Sequence, residues 1–436
     1  MTSIDTHHAA GTSAAPPAVA AWITSADHKQ VGRLYAGTGL VGLLGGLVLA
    51  VLVAFERIDA EGYQLLDANS VAQVLSAARL LLTFGAVAPL LLGIAVAVVP
   101  LQLGARSLAL PRLAAGGYWM WLTGLGLAVA SIIANGGPGG GSSDMVDLYV
   151  LGTIVMAGGL IMLAQRSAAN VAIGIVSVSV LATVTQSTVS LPWDGEKFFD
   201  NLGDKIADLL PWGLLTVVPL LGVLGVLGLS GLTLKNGKPR VAAPLVFAMH
   251  GLLTILLGVA ANVLGSIDDA GLRGSIFEAG TYVAITFGTV TIAFGALCYW
   301  GPKLWGRRIS DKAALPLGLL ALLATALGSI PYMIAGFADQ PAGALDGFSY
   351  EGPQELWNTL TTAGFALMLL TTLAFVALAL KSFTSGEAAG DDPWDGQTLE
   401  WATSSPPPAD NFSDLVVVGS ATPLADLKSN TNGKDA

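Results

Sequence analysis

The chain has 436 residues, 53% of them apolar and only 11% charged, with a formal charge of −10 and a mean hydropathy of +0.68. This composition excludes an ordinary soluble domain, and the acidic balance argues against nucleic-acid binding. It is that of an integral membrane protein, whose single Cys298 cannot form an internal disulfide.

Residues 1–33 come first. They are polar and rich in Pro and Ala near the start, carry His7, His8 and His28, and lack the basic start and apolar stretch of a cleavable signal. They read as a disordered cytoplasmic arm. Apolar runs of about 20 residues, the length needed to cross ~30 Å of hydrocarbon, then predict ten spans. These lie near 34–55, 77–103, 116–135, 147–165, 168–188, 209–231, 243–265, 278–301, 314–337 and 358–380. The expected fold is an all-α polytopic transmembrane bundle, residues 34–381. The tail, residues 382–436, has too few apolar residues to fold alone and is expected to order against the membrane domain or a partner.

Loop charge predicts orientation, because Lys and Arg stay on the cytoplasmic side. One set of loops holds Lys29, Arg33, Arg106, Arg112, Arg166, Lys235, Lys238, Arg240, Lys303, Arg307, Arg308, Lys312 and Lys381. The other holds only Arg57, Lys197, Lys205 and Arg273, amid acidic runs. Both termini are therefore expected in the cytoplasm.

Few residues within the spans carry chemistry. His250 is the only histidine there, without a His, Cys or carboxylate three or four residues on, so a packing role is expected over metal binding. The eight methionines read as gap fillers rather than axial ligands. Arg79, inside the second span, is expected to snorkel to the outer interface. The loop GGPGGGSSD, residues 136–144, lacks the strand, helix and lysine of a phosphate cradle and reads as an outer connection. Glycines such as Gly42, Gly45 and Gly222 to Gly231 suit close helix packing. Asp391, Asp392 and Asp395 form a weak acidic cluster in the tail. No catalytic, cofactor-binding or metal site is assigned from these residues.

Several segments carry a resemblance. PLQLGARSLALPRL (100–113), DDPWDGQTLEWATSSPPP (391–408), WITSADHKQVGRLY (22–35), CYWGPKLWGR (298–307) and GFADQP (336–341) are similar to subunit I of the heme-copper terminal oxidases. The resemblance implies a membrane subunit that reduces oxygen, with two hemes and one copper held by six histidines. It also implies twelve membrane helices. Here Gly280, Thr281 and Tyr282 resemble the start of the family's tenth helix only a dozen or so residues after the seventh span ends near Gly265, so the eighth and ninth helices are expected to be missing.

At the places where the resemblance implies ligands, this chain has none. Gln73, Pro89 and Pro100 put Ala78 at the low-spin heme position. Pro211 and Pro219 put Leu210 at a copper histidine, Trp212 at the proton-delivering glutamate and Leu214 at the redox tyrosine. The paired copper histidines fall on Asn262 and Val263, and the last two heme ligands on Phe287 and Thr289. Ser107 stands for the aspartate of a proton channel, and Ala342 and Gly343 for the arginines that hold heme propionates. A methyl group offers iron no lone pair.

The resulting expectation is a non-catalytic relative that binds no heme or copper. It serves as a structural or assembly subunit among other respiratory-complex subunits, with lipid around it, in a bacterial or archaeal membrane. Two other readings stay open: a working cytochrome c or quinol oxidase whose ligands come from another chain, and a cofactor-free transporter or proton conductor in the vacated space.

Overall fold

The structure, a computed structural model, describes residues 24–134, parts of 148–156, and 202–342, 348–412 and 419–432, apart from single positions 61, 64, 238, 351 and 421. The helices are α1 (His28–Glu56), α2 (Ala68–Leu80), a π-helical segment (Leu81–Val87), α3 (Ala88–Gln102), α4 (Pro111–Ile133), α5 (Leu202–Trp212), a second π-helical segment (Gly213–Val217), α6 (Val218–Asn236), α7 (Ala243–Gly265), α8 (Phe277–Trp305), α9 (Asp311–Gly336), α10 (Gln354–Ser385) and the short α11 (Pro423–Asn432). Among the described residues there is no strand, only two isolated bridges.

Among the described residues, eight helical runs are long and apolar enough to cross a membrane, and they coincide with eight of the ten expected spans. The expected spans 147–165 and 168–188, the loop 136–144, His7 and His8 lie outside the described residues, except for a helical fragment within 148–156. The helices overrun the apolar stretches. Asp27 caps α1 by accepting from Lys29 N at 3.0 Å, and Asp67 caps α2 by accepting from Ser70 N at 2.7 Å. A polar cap satisfies the first backbone donors, so each helix starts at its cap, whereas apolar length reports only the part in hydrocarbon.

Two prolines set the π-helical turns. Pro89 and Pro219 lack an N–H and crowd the carbonyl four residues back, and each lies two residues after a π-helical segment. Widening the preceding turn relieves that clash. The first of these turns packs on α1, where a Cβ on Gly42 would lie 2.3 Å from Gly85 O. Gly42 is therefore a site of direct helix contact, as its sequence context suggested. Gly222, Gly225, Gly228 and Gly231 on α6 instead face open space, because α6 packs chiefly on α7.

The helix α8 is the most deeply buried span, followed by the run from Ser70 to Gln102. The other spans surround these two, with α7 and α9 against α8, and α1 against α3 and α10. Between α7 and α8 the chain makes only one 3₁₀ turn, Asp268–Ala270. The two helices then pack directly, with the Cβ position on Gly251 2.5 Å from Gly288 O. Small residues thus seal the join where the resemblance implies two further helices.

Candidate functional site

Two places in this fold bear on function. The first is the end of the bundle where the N-terminal entry and the tail meet. The second is the interior between α1, α2, α8 and α10.

At the shared end, four of the segments that carry the resemblance converge. From CYWGPKLWGR, Lys303 is fully buried, and its Nζ donates to the carbonyls of Asp391 at 2.9 Å and Thr403 at 2.6 Å. The ammonium also lies 5.2 Å from the Trp401 ring centroid. Tyr299 sits between Trp394, stacked at 5.6 Å, and Trp401, edge-on at 5.4 Å. Buried Glu400 accepts from Gln102 Nε2 at 3.2 Å and Trp300 Nε1 at 3.4 Å.

From WITSADHK, His28 places Nδ1 3.0 Å from Val96 O, so this nitrogen carries the proton and donates. Its Nε2 is then the acceptor for Asn411 Nδ2 at 2.9 Å. The same amide donates to Ala105 O at 2.8 Å, and its oxygen accepts from Lys29 Nζ at 2.8 Å. Leu101, Leu399 and Phe412 form a small apolar cluster beneath. The described part of the tail therefore packs against the membrane domain, one of the two alternatives its composition left open.

The acidic cluster has uses within the chain. Asp391 accepts from Ser405 N at 3.0 Å and Asp392 from Gly396 N at 2.8 Å, while Lys428 bridges Asp392 at 2.8 Å and Asp395 at 2.7 Å. The exposed Asp395 carboxyl is held below the usual range by the Lys428 hydrogen bond and charge, and Lys428 is raised in return. The sequence could not reveal that these carboxylates already have partners. Among the described residues no three His, Cys, Asp or Glu side chains converge as a metal site.

The interior holds a cavity of about 40 Å³ lined by Ala50, Arg57, Ala78, Arg79, Tyr282 and Phe365, among others. Ala78 is buried, as are Phe287 and Thr289. Phe287 meets Phe365 edge to face at 5.3 Å, and Thr289 Oγ1 donates to Ile285 O at 2.7 Å within its own helix. Arg79 lies over the Tyr282 ring at 5.7 Å, and the Tyr282 hydroxyl is 2.9 Å from Thr83 Oγ1. Arg57 donates to Ala342 O and its own carbonyl accepts from Tyr350 Oη at 2.6 Å. Burial pushes the Tyr350 phenol up to about 12, so it stays protonated and donating. Gly343 lies outside the described residues.

The positions implied for copper do not gather around this cavity. Leu210 and Leu214 are 59% and 55% exposed, and Trp212 Nε1 donates to Ser266 Oγ at 2.8 Å. Asn262 is buried, Val263 partly so, and Ser107 is exposed with its hydroxyl bonded to Leu108 O at 3.1 Å. His250 Nδ1 reaches Gly318 O at 3.1 Å, which gives it the structural partner expected of a packed imidazole. A volume of about 40 Å³ holds roughly one water, against the ~300 Å³ or more of ordinary cofactor pockets. The residues in place do not fit a heme there.

The chain resembles known proteins along its length. The model of the family described as cytochrome C and quinol oxidase polypeptide I matches residues 30–196. A heme-copper oxidase subunit I+III of Aeropyrum pernix is 26% identical over 91% of this chain, which spans 62% of that relative's length. A probable cytochrome c oxidase subunit 1-beta of Nocardia farcinica is 27% identical over 93% of this chain and 87% of its own. That alignment runs over 526 positions, more than the 436 residues here, so the relative has segments that this chain lacks. A solved heme-copper terminal oxidase dimer shares the fold, with a TM-score of 0.60 and 13% identity over 83% of this chain and 85% of that one.

Proposed function

We propose, since this chain belongs to the heme-copper oxidase subunit I family, that it is a non-catalytic member acting as a structural or assembly subunit of an aerobic respiratory complex. One contrast supports this reading. The segments that resemble the family supply Lys303, Glu400 and His28 to the buried contacts that hold the tail, His28 through Asn411 just beyond the tail segment. The positions where the family has ligands carry Ala78, Leu210, Asn262, Val263, Phe287 and Thr289.

The scaffold is maintained where it stabilises the fold, and the redox centre is replaced by hydrocarbon and aromatic packing. On this reading the protein binds neither heme nor copper, its two absent helices are the family's eighth and ninth, and both termini are cytoplasmic in a bacterial or archaeal membrane. Its parts are an arm of residues 1–33, a membrane domain of 34–381 and a tail of 382–436. Because the tail's family-like residues are used within the chain, a partner subunit is expected to meet other surfaces.

The names of the relatives favour a second reading, a working terminal oxidase that receives its ligands from another chain. A reduced-minus-oxidised spectrum of the purified protein, with heme and copper quantified and co-purifying subunits identified, separates the two. Stoichiometric heme overturns the proposal. So does a protein that is always monomeric and free of respiratory subunits.

A further inference from the structure

A groove of about 370 Å³ runs along the surface between α1, α3, α8 and α10, at the end of the bundle where the tail docks. Its floor forms where α1 meets α3: a Cβ on Gly32 would lie 2.5 Å from Gly93 O, so the two backbones touch. Leu40, Val41, Leu380 and Phe383 are among the apolar walls, and Val41 and Leu380 turn outward, 70% and 60% exposed. Gly37 lines the groove with open space above it. An apolar surface at this depth in a membrane protein meets lipid tails.

One end of the groove is charged. Arg33 lines it beside Trp305; its Nη2 donates to Leu304 O, while its Nε is buried without a hydrogen-bond partner. The nearby carboxylate Asp27 pairs with Lys29 at 2.9 Å, and among the described residues no carboxylate lies within ion-pair distance of Arg33. A guanidinium that lines the end of an apolar groove and has no carboxylate partner among the described residues calls for an anionic acceptor attached to hydrocarbon. A neutral acceptor would leave the charge uncompensated, and a free anion would leave the groove unfilled.

We infer that this groove is a specific site for an anionic phospholipid, with its phosphodiester at Arg33 and one acyl chain along Gly37 and Leu40. Basic pockets between membrane helices recognise headgroups in this way, and an interfacial tryptophan such as Trp305 suits the level of the headgroup. The site is separate from the interior cavity and does not depend on whether the protein binds heme.

The test is native mass spectrometry of the full chain, delipidated in detergent and then titrated separately with phosphatidylglycerol and phosphatidylcholine of equal chain length. The expected result is one tightly retained phosphatidylglycerol, held at least tenfold better than phosphatidylcholine. R33Q should remove that preference, and G37L, whose Cβ has no atom within 4 Å and whose side chain would enter the groove, should remove the retained lipid. Equal retention of the two lipids by the wild type would show annular lipid only and overturn the assignment. Lipid retention unchanged in G37L would overturn it as well, as would loss of a co-purifying protein, rather than of lipid, in that variant. The wild-type comparison decides the question even if R33Q folds poorly.

Discussion

Phe287 on α8 and Phe365 on α10 meet edge to face with their ring centroids 5.3 Å apart. They fill the interior beside Ala78, where the resemblance in the sequence implies imidazole. The contact joins two spans through aromatic packing.

That contact leads to a pair of expectations. F287A should destabilise the protein by about 3–5 kcal/mol, the usual cost of removing a buried phenyl, seen as a lower thermal midpoint in detergent. Placing histidine at both positions the resemblance implies, in A78H with F287H, should not produce a stoichiometric heme spectrum, because the cavity is about 40 Å³. A full heme signal from the double variant would mean that only the ligands had been lost.

Lys303 holds the tail to the bundle through the carbonyls of Asp391 and Thr403. K303M keeps the length and removes the donor, leaving buried acceptors unsatisfied at about 1–3 kcal/mol each. Limited proteolysis between residues 386 and 412 should accelerate at least tenfold while the membrane core stays intact. An unchanged cleavage rate would show that Trp394 and Trp401 alone hold the segment.

Docking of α11 should depend on pH and salt. Asp395 has a lowered pKa in the folded state, so its contribution is present at neutral pH and is lost as pH falls through the folded value, below the usual carboxylate range. Lys428 is raised, so its contribution is full below its unfolded pKa and is lost only in strong base. Both groups are exposed, and added salt should weaken the contact. Hydrogen-exchange protection of residues 423–432, corrected for the intrinsic pH dependence of amide exchange, should be greatest near neutral pH in low salt. Protection that stays constant from pH 2 to 7 would rule out the ion pairs as its cause.

Two neighbouring glycines should respond differently to one added methyl. G42A places a Cβ 2.3 Å from Gly85 O and must push α1 from the π-helical turn, whereas Gly45 has only Leu81 Cδ1 nearby, at 3.6 Å. Overpacking of this kind costs about 1–3 kcal/mol, while G45A should be neutral or mildly stabilising through helix propensity. Thermal midpoints of the two variants compared with wild type give the answer.

The sequence made much of this legible, since eight described spans stand where their apolar runs lie. It also identified the segments at the tail-docking end, but not what they do. Nothing in a polar tail distinguishes Asn411, which links His28, Lys29 and Ala105, from its neighbours. Lys303, a cation at the end of an apolar run, was the one available signal, and topology alone accounted for it. The acidic residues of the tail stood out only as a weak cluster, and the structure shows their acceptors filled by Ser405, Gly396 and Lys428.

By itself the sequence determined the class and the positions of the eight described spans, because hydrocarbon length and side-chain chemistry are local properties. Only the tertiary structure decided that Leu210 and Leu214 turn outward while Phe287 turns inward, that α7 closes directly on α8, and that the tail contacts its own chain. Those outcomes depend on which helix faces which, and that is settled by glycine contacts such as Gly42 on Gly85 and Gly251 on Gly288, between residues far apart along the chain.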